Sequence, residues 1–232
     1  MMYPFVKRSL DLILALLGFL ISLPIWIFVI IGIEINDPGP IFYMANRIGK
    51  DDRLFKMFKF RSMRVPKDSK SGSEASLRPE EDRIFAFGKL IRKLKLDEIL
   101  QILNIIKGDM AIVGPRPVAK DQFTIFRTGR YDEAKRVRPG LTGPAALYDY
   151  IYGDQFEDAD ESEYIEKVLP TRRELELVYL NKMSFVFDLR MIFETALCVI
   201  LSIFGKENKR LLNELIGMAN ESLPSRKESV GV

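Results

Sequence analysis

The sequence predicts an α-dominated α+β protein in which an apolar N-terminal helix enters a membrane and amphipathic helices lie at the membrane interface. Three observations support this class: a long uncharged run near the N-terminus, two strand-like segments around a polar turn, and several segments with Leu and Ile at helical spacing. The chain has 232 residues, 47% hydrophobic and 29% charged, which is enough for one packed domain or one domain plus a membrane anchor.

The membrane segment is the uncharged run 12–33, which as a helix would be about 33 Å long and so match a bilayer. Pro24 lies near its centre, two residues after Ser22, and proline breaks or kinks a helix because it lacks a backbone donor. Basic residues flank both ends of the run, and positive flanks prefer the cytoplasmic side. A spanning helix satisfies one flank and a helix–break–helix hairpin satisfies both; the residues alone leave both arrangements open.

The rest of the chain is predicted to form a hairpin, a loop and a series of helices. The segments 40–44 and 53–60 flank the polar turn 49–52 and predict a small β-hairpin. Helical spacing over 84–107 predicts two helices that meet near Asp97 and end at Gly108. The other expected elements are a loop at 66–82, helices at 121–138, 162–181 (interrupted at Pro170), 183–204 (amphipathic) and 209–216, and a frayed tail from Pro224.

The composition limits the chemistry that the protein can perform. The sequence has no histidine and one cysteine, Cys198, which excludes Ser-His-Asp and Cys-His catalysis, histidine-rich metal sites and an intrachain disulfide. Any bound metal must therefore be held mostly by oxygen, as a hard ion such as Mg²⁺ is. The net charge of +3 is too small to argue for nucleic-acid binding.

One acid pair, Asp97 and Glu98, lies inside the otherwise apolar and basic stretch KLKLDEILQ (93–101). Carboxylates are seldom buried unless they are paired or bind a cation. Two interpretations stay open: a catalytic or cation-binding pair, or an exposed acidic face at a helix kink with Lys93 as the ion-pair partner of Asp97.

Four stretches, in order, decide between these interpretations: KFRSM (59–63), IRKLKLDEILQ (91–101), KGDMAIVGPRP (107–117) and RPGLTG (138–143). They follow an apolar segment that ends in DPGPIFY (37–43). With this order and spacing, the chain resembles the bacterial sugar transferases, the monotopic phosphoglycosyl transferases, from about residue 3 to about residue 200.

The resemblance implies an Mg²⁺-dependent enzyme that moves sugar-1-phosphate from a UDP-sugar to a polyprenyl phosphate such as undecaprenyl phosphate, releasing UMP. It implies a re-entrant membrane helix broken at Ser22 and Pro24, with both ends at the cytoplasmic face of the bacterial inner membrane. The expected domains are a membrane helix (1–36), an interfacial catalytic domain (37–206) and a C-terminal helix and tail (207–232). Downstream glycosyltransferases are the expected functional partners, nucleic acid is not, and a homodimer is left open.

The resemblance also assigns roles to residues. Asp97 is implied to be the nucleophile that forms a covalent phosphosugar intermediate, and Glu98 to hold the metal or handle protons; both are expected metal ligands. Arg92 is implied to lie near the diphosphate and Arg116 to contact the nucleotide side of the donor. The substrate-binding residues expected in total are Lys59, Arg61, Arg92, Arg116 and Arg138.

Three departures from the family pattern leave rival interpretations. Leu100 stands where the family usually has proline, Ser22 and Pro24 are not adjacent, and residues 144–147 read PAAL where many members have Leu-Ala-Gln-Val. The first rival is an inactive member that acts as a membrane scaffold in glycan assembly. The second is a signal-anchor protein with an unrelated domain outside the cell.

Overall fold

The computed structural model describes residues 3–64, 83–120, 122–152 and 161–223. Its helices and strands are α1 (Tyr3–Asn36), β1 (Phe42–Ile48), β2 (Leu54–Phe60), α2 (Ala86–Lys93), α3 (Gln101–Lys107), β3 (Ala111–Val113), β4 (Val118–Ala119), α4 (Phe123–Phe126), β5 (Gly140–Thr142), α5 (Pro144–Ile151), α6 (Glu161–Lys167), α7 (Leu169–Lys182), α8 (Phe185–Ile203) and α9 (Lys209–Ser222). The predicted α-dominated α+β class is confirmed for these residues. The predicted loop 66–82 and the tail from Pro224 lie outside them.

Helix α1 is one helix of 34 residues that contains Pro24. Of the described helices it alone is long and apolar enough to cross a membrane. The family resemblance implied a helix broken at Ser22 and Pro24, whereas α1 continues through Pro24 as one helix. The Ser22 hydroxyl donates to the Phe19 carbonyl oxygen at 3.0 Å, one turn back.

Both ends of α1 are held by polar contacts to the same folded unit. At the N-terminal end, the Tyr3 hydroxyl and the Lys7 ammonium each lie 2.6 Å from a carboxylate oxygen of Asp188 in α8. Just past the C-terminal end, Asp37 forms an ion pair with the buried Arg61. Between them, buried residues of α1 pack on α2, α3 and β2, including Ala15, Val29 and Ile33.

The predicted hairpin is confirmed, and the structure adds strands that the sequence did not predict. Strands β1 and β2 pair antiparallel from Phe42↔Phe60 to Ile48↔Leu54, and β4 pairs antiparallel with the other edge of β1. Strands β3 and β5 form a separate parallel pair. Both β3 and β5 have only three residues, too few for an alternating pattern to be recognised in the sequence.

The other helical predictions are confirmed in outline. The segment 84–107 contains α2 and α3 with a turn at Asp97, and α3 ends at Gly108 with φ +94°, a left-handed value that glycine adopts freely. The predicted interruption near Pro170 is confirmed at Val168, between α6 and α7; Pro170 itself lies in the first turn of α7, where a residue needs no backbone donor. Of the basic segment 121–138 that was predicted to be helical, the described residues 122–138 form only α4 and a 3₁₀ helix at Gly129–Arg136.

Helix α8 carries its polar residues toward the protein and its apolar residues outward. Asp188 and Glu194 are buried, whereas large apolar side chains are exposed: Phe185, Val186, Leu189, Phe193, Ile200 and Ile203. Glu194 accepts hydrogen bonds from Asn208 and Arg210, which joins α8 to α9. This distribution is the reverse of that of a surface helix in water, and it suits a helix whose outer face contacts lipid.

The close approach of β3 and β5 gives a stability prediction. A Cβ at Gly114 would lie 2.5 Å from the Arg138 carbonyl oxygen and 2.8 Å from the Gly140 amide nitrogen, so Gly114→Ala forces backbone atoms apart. We expect it to lower the free energy of unfolding by about 1–3 kcal/mol, measured as the unfolding midpoint in detergent.

The matched control is Gly217→Ala in α9, where an added Cβ meets no atom within 4 Å. Alanine is the better helix former, so this change should raise stability by up to about 1 kcal/mol. Equal effects of the two substitutions would contradict the packing at Gly114.

Candidate active site

The acid pair lies in a tight turn between α2 and α3. Lys95 has the left-handed values φ 54° and ψ 22°, and Leu96–Glu98 form one turn of 3₁₀ helix. Leu100, where a proline was expected, has φ −66°, the value at which proline is fixed. Its side chain is buried with Phe60 and Phe85. Packing thus gives leucine the backbone angle that a proline ring would impose, and the departure leaves the turn intact.

Asp97 is buried and only partly satisfied. Its side chain is among the buried polar groups, and its Oδ1 atom has no hydrogen-bond partner among the described residues. An unpaired carboxylate oxygen in a protein interior is costly, so such an atom is expected to meet a ligand in the working protein. The interpretation of the pair as an exposed acidic face is therefore wrong for Asp97.

Four cations surround the pair. The Lys59 ammonium lies 2.8 Å from Glu98 Oε1, and Lys95 acts electrostatically on both carboxylates. Arg116 acts on Glu98, and Arg92 on Asp97. Three of these cations, Lys59, Arg92 and Arg116, were predicted to bind substrate, and the structure brings them to the acid pair.

The two neighbouring carboxyl groups have pKa values displaced in opposite directions. Burial, reinforced by the charge of Glu98, raises the pKa of Asp97 above its ordinary value. Burial opposes ionisation of Glu98 too, but Lys59, Arg116 and Lys95 outweigh it and hold the Glu98 pKa well below the ordinary value. Such a split marks two adjacent carboxylates with different roles.

Arg61 and Arg138 have other partners. Arg61 is buried, and its guanidinium binds the carboxylate and carbonyl of Asp37 and the carbonyl of Pro40. Arg138 donates to the Gly108 carbonyl oxygen at 2.7 Å, at the end of α3. These contacts favour structural roles, and the prediction that Arg61 and Arg138 bind substrate stays a prediction.

Three residues near the site were not singled out from the sequence. The Lys95 ammonium lies 4.3 Å from the centre of the Tyr150 ring, and Asp149 forms an ion pair with Arg116. Asp149 and Tyr150 belong to α5, more than 50 residues after the acid pair. In the sequence, only the departure from the family pattern at 144–147, directly before Asp149 and Tyr150, could have drawn attention to these two residues.

The residues present fit a hard divalent cation completed by substrate oxygens. Among the described residues no group of three or more acidic or sulfur-containing side chains could hold a metal ion without help. Asp97 Oδ1 is, however, an unpaired oxygen of the kind that Mg²⁺ binds, and the ionised Glu98 is its neighbour in sequence. Mg²⁺ is typically bound by one or two carboxylates together with substrate phosphates.

Comparison with known proteins gives a consistent set of relatives. A family model described as bacterial sugar transferase matches residues 2–202. The UDP-N-acetylgalactosamine-undecaprenyl-phosphate N-acetylgalactosaminephosphotransferase of Aeromonas hydrophila is 32% identical over 206 residues, which are 88% of this chain and 45% of that protein. The UDP-glucose:undecaprenyl-phosphate glucose-1-phosphate transferase of Escherichia coli K12 is 32% identical over 193 residues, 82% of this chain and 39% of that protein.

A shorter relative aligns over most of its length. The exopolysaccharide production protein ExoY of Sinorhizobium fredii is 34% identical over 213 residues, which are 84% of this chain and 86% of that protein. The chain thus spans less than half the length of the first two relatives and most of the third.

The electrostatics of the pair can be tested by removing one cation. Lys59 lowers the pKa of both carboxyl groups, so Lys59→Met should raise both values. The measurement is carboxyl-carbon NMR titration of the detergent-solubilised protein. The control is Lys56→Met, an exposed lysine three residues earlier on the same strand, which should leave both values unchanged. A Glu98 pKa that stays low in Lys59→Met would contradict the assigned cause.

Proposed function

The chain belongs to the bacterial sugar transferase family, and from that premise we propose that it transfers sugar-1-phosphate from a UDP-sugar to undecaprenyl phosphate and releases UMP. The observation that carries the proposal is the buried Asp97, with one unpaired oxygen, beside an ionised Glu98 and four cations. The printed names of the relatives give the substrate classes. The reaction would be the first membrane step in assembly of a polysaccharide or glycoconjugate.

The proposed mechanism uses Asp97 as a nucleophile in two displacements at one phosphorus atom. The carboxylate attacks the phosphate that carries the sugar; the bond to the bridging oxygen breaks, and UMP leaves with that electron pair. A phosphate oxygen of undecaprenyl phosphate then attacks the same phosphorus and expels Asp97, which regains its charge. Burial suits Asp97 to the first step, because a poorly solvated carboxylate is more basic and more nucleophilic.

The cations around the pair would hold the donor diphosphate. Lys59, Lys95 and Arg92 surround the carboxylates and reduce their repulsion of an anionic substrate. Arg116 has a side chain that is 35% exposed and can present its planar donor group to the nucleotide side of the donor. Glu98, kept ionised, would hold the metal or accept a proton from the acceptor phosphate.

We propose Mg²⁺ as the cofactor, held by Asp97 and Glu98 together with donor oxygens. Such an ion neutralises charge on a phosphoryl group under attack.

We also propose that α1 is re-entrant, so that the protein occupies one leaflet of the inner membrane from the cytoplasmic face. Support comes from the two ends of the helix: Lys7 and Asp37 both form ion pairs with the same folded unit. A spanning helix would place about 30 Å of hydrocarbon between its two ends. That unit would then have to reach across the bilayer, with Asp188 and Arg61 at opposite surfaces.

The apolar outer faces of α1 and α8 agree with this placement. Exposed large apolar residues occur along α1 from Ile13 to Ile35 and along α8 from Phe185 to Ile203. An interfacial position also brings the two substrates together, since one is soluble and highly charged and the other has its phosphate at headgroup depth. The scaffold interpretation depended on Leu100, whose backbone angle now gives it no support.

The covalent step can be tested with the donor alone and with both substrates. Membranes that contain the protein, incubated with undecaprenyl phosphate and a panel of UDP-sugars, should release UMP with at least one sugar. Asp97→Asn should lower the rate by more than about 10³-fold, because it removes the nucleophile. With donor alone, intact-protein mass spectrometry should show one added phosphosugar on residue 97.

Asp132→Asn is the matched control, since Asp132 pairs with the neighbouring Lys135 and has no contact with the acid pair among the described residues. It should retain wild-type turnover. Full turnover by Asp97→Asn would refute the proposed mechanism, and the absence of UMP release over a broad panel of sugars would refute the proposed reaction.

The position of α1 can be tested by cysteine labelling in intact cells. In a Cys198→Ser background, Ser9→Cys and Asn36→Cys introduce thiols at exposed positions near the two ends of the helix. Because re-entry keeps both ends in the cytoplasm, neither should react with an impermeant maleimide until the membrane is opened. Labelling of either end from outside would show a spanning helix; a periplasmic cysteine protein serves as the positive control.

A further inference from the structure

The backbone that carries Arg116 is fixed by the parallel pair of β3 and β5. The Gly114 amide donates to the Thr142 carbonyl at 2.9 Å, and the Gly140 amide donates to the Pro115 carbonyl at 2.8 Å. Prolines on both sides of Arg116 restrict the chain further. The guanidinium, at the end of a long flexible side chain, still needs a partner to hold it.

Helix α5 supplies that partner. It begins at Pro144, directly after β5, and so runs beside the segment that follows β3. Asp149 Oδ2 lies 3.5 Å from Arg116 Nε. The same helix begins with PAAL (144–147), the stretch that departs from the family pattern, and Asp149 lies just after it.

Two further side chains contact the carboxylate of Asp149. The Tyr164 hydroxyl donates to Asp149 Oδ1 at 2.7 Å, and Arg172 Nη1 lies 3.7 Å from Oδ2. Arg172 is buried, and its guanidinium lies 4.4 Å from the centre of the Phe126 ring. Burial opposes ionisation of Asp149, but Arg172 and Arg116 hold its pKa below the ordinary value, so the group is charged at neutral pH.

Arg116 therefore interacts with two carboxylates: it forms an ion pair with Asp149, and its charge acts on Glu98. Asp149 is itself held in place by its contacts with Tyr164 and Arg172. An arginine held in this way loses little conformational freedom when a ligand binds, which is the benefit of preorganisation.

We infer that Asp149 is a positioning residue for the proposed transfer, one that holds the Arg116 guanidinium beside Glu98, where the donor diphosphate would bind. The inference rests on the proposed function and goes beyond it, since Asp149 itself touches neither substrate nor reacting atoms. Tyr164 and Arg172 form the support that keeps its carboxylate in place. The effect of losing Asp149 should therefore be transmitted through Arg116.

The test is a double-mutant cycle with steady-state kinetics of UMP release, using the UDP-sugar that the donor panel identifies. Asp149→Asn removes the charge that holds Arg116 and should raise KM for the donor about tenfold while kcat changes much less. In an Arg116→Ala background the same substitution should have almost no further effect on KM, because the residue through which it acts is gone.

Two controls separate positioning from a general structural role. Tyr164→Phe removes one hydrogen bond to Asp149 but leaves the ion pair with Arg116, so its effect on KM should be clearly smaller than that of Asp149→Asn. Glu133→Gln makes the same chemical change at an exposed site paired with Arg136 and should leave KM unchanged.

The outcomes distinguish the inference from the function on which it rests. If the wild type releases UMP at a normal rate and Asp149→Asn raises KM only when Arg116 is present, the inference is supported. A normal wild-type rate with an Asp149→Asn effect that persists undiminished in Arg116→Ala overturns the inference and leaves the function standing. A wild type that releases no UMP with any donor overturns both.

Discussion

The structure depends on placing two adjacent carboxylates in a site from which water is largely excluded. Desolvation and mutual repulsion both oppose ionised Asp97 and Glu98, so positive charge must converge on them. That charge arrives from separate parts of the chain: Lys59 from β2, Arg92 from α2, Lys95 from the turn, and Arg116 from beyond β3. The hairpin, the α2–α3 turn and the parallel strand pair are the elements that deliver these side chains.

The proposed reaction also requires that this charged site stays close to lipid. Helices α1 and α8 meet this requirement by turning polar side chains inward and leaving apolar ones exposed. Asp188 accepts contacts from Tyr3 and Lys7 and so joins the two helices. The exposed apolar surface and the candidate site are thus parts of one packed unit.

Much of the fold was predictable because it follows from local patterns. The hairpin followed from two apolar segments around a polar turn, and the end of α3 from Gly108. The short strands β3 and β5 were missed because three residues carry no periodic signal. The break at Ser22 and Pro24 that the resemblance implied does not divide α1 into two helices, since one missing donor did not end a helix of 34 residues. Of the candidate site, Asp97, Glu98, Lys59, Arg92 and Arg116 were identified and are brought together.

The sequence alone determined which chemistry is available: an acid pair, no histidine, a helix of membrane length and a surplus of cations. These properties belong to single residues or short segments, so they can be inferred from the sequence without knowledge of interatomic distances. Tertiary structure decided which cations face the acids, turning Arg61 toward Asp37 while Lys59 reaches Glu98. It also brought Asp149 to Arg116, because strand pairing and helix packing join residues far apart in the chain, and electrostatic effects depend on separation in space.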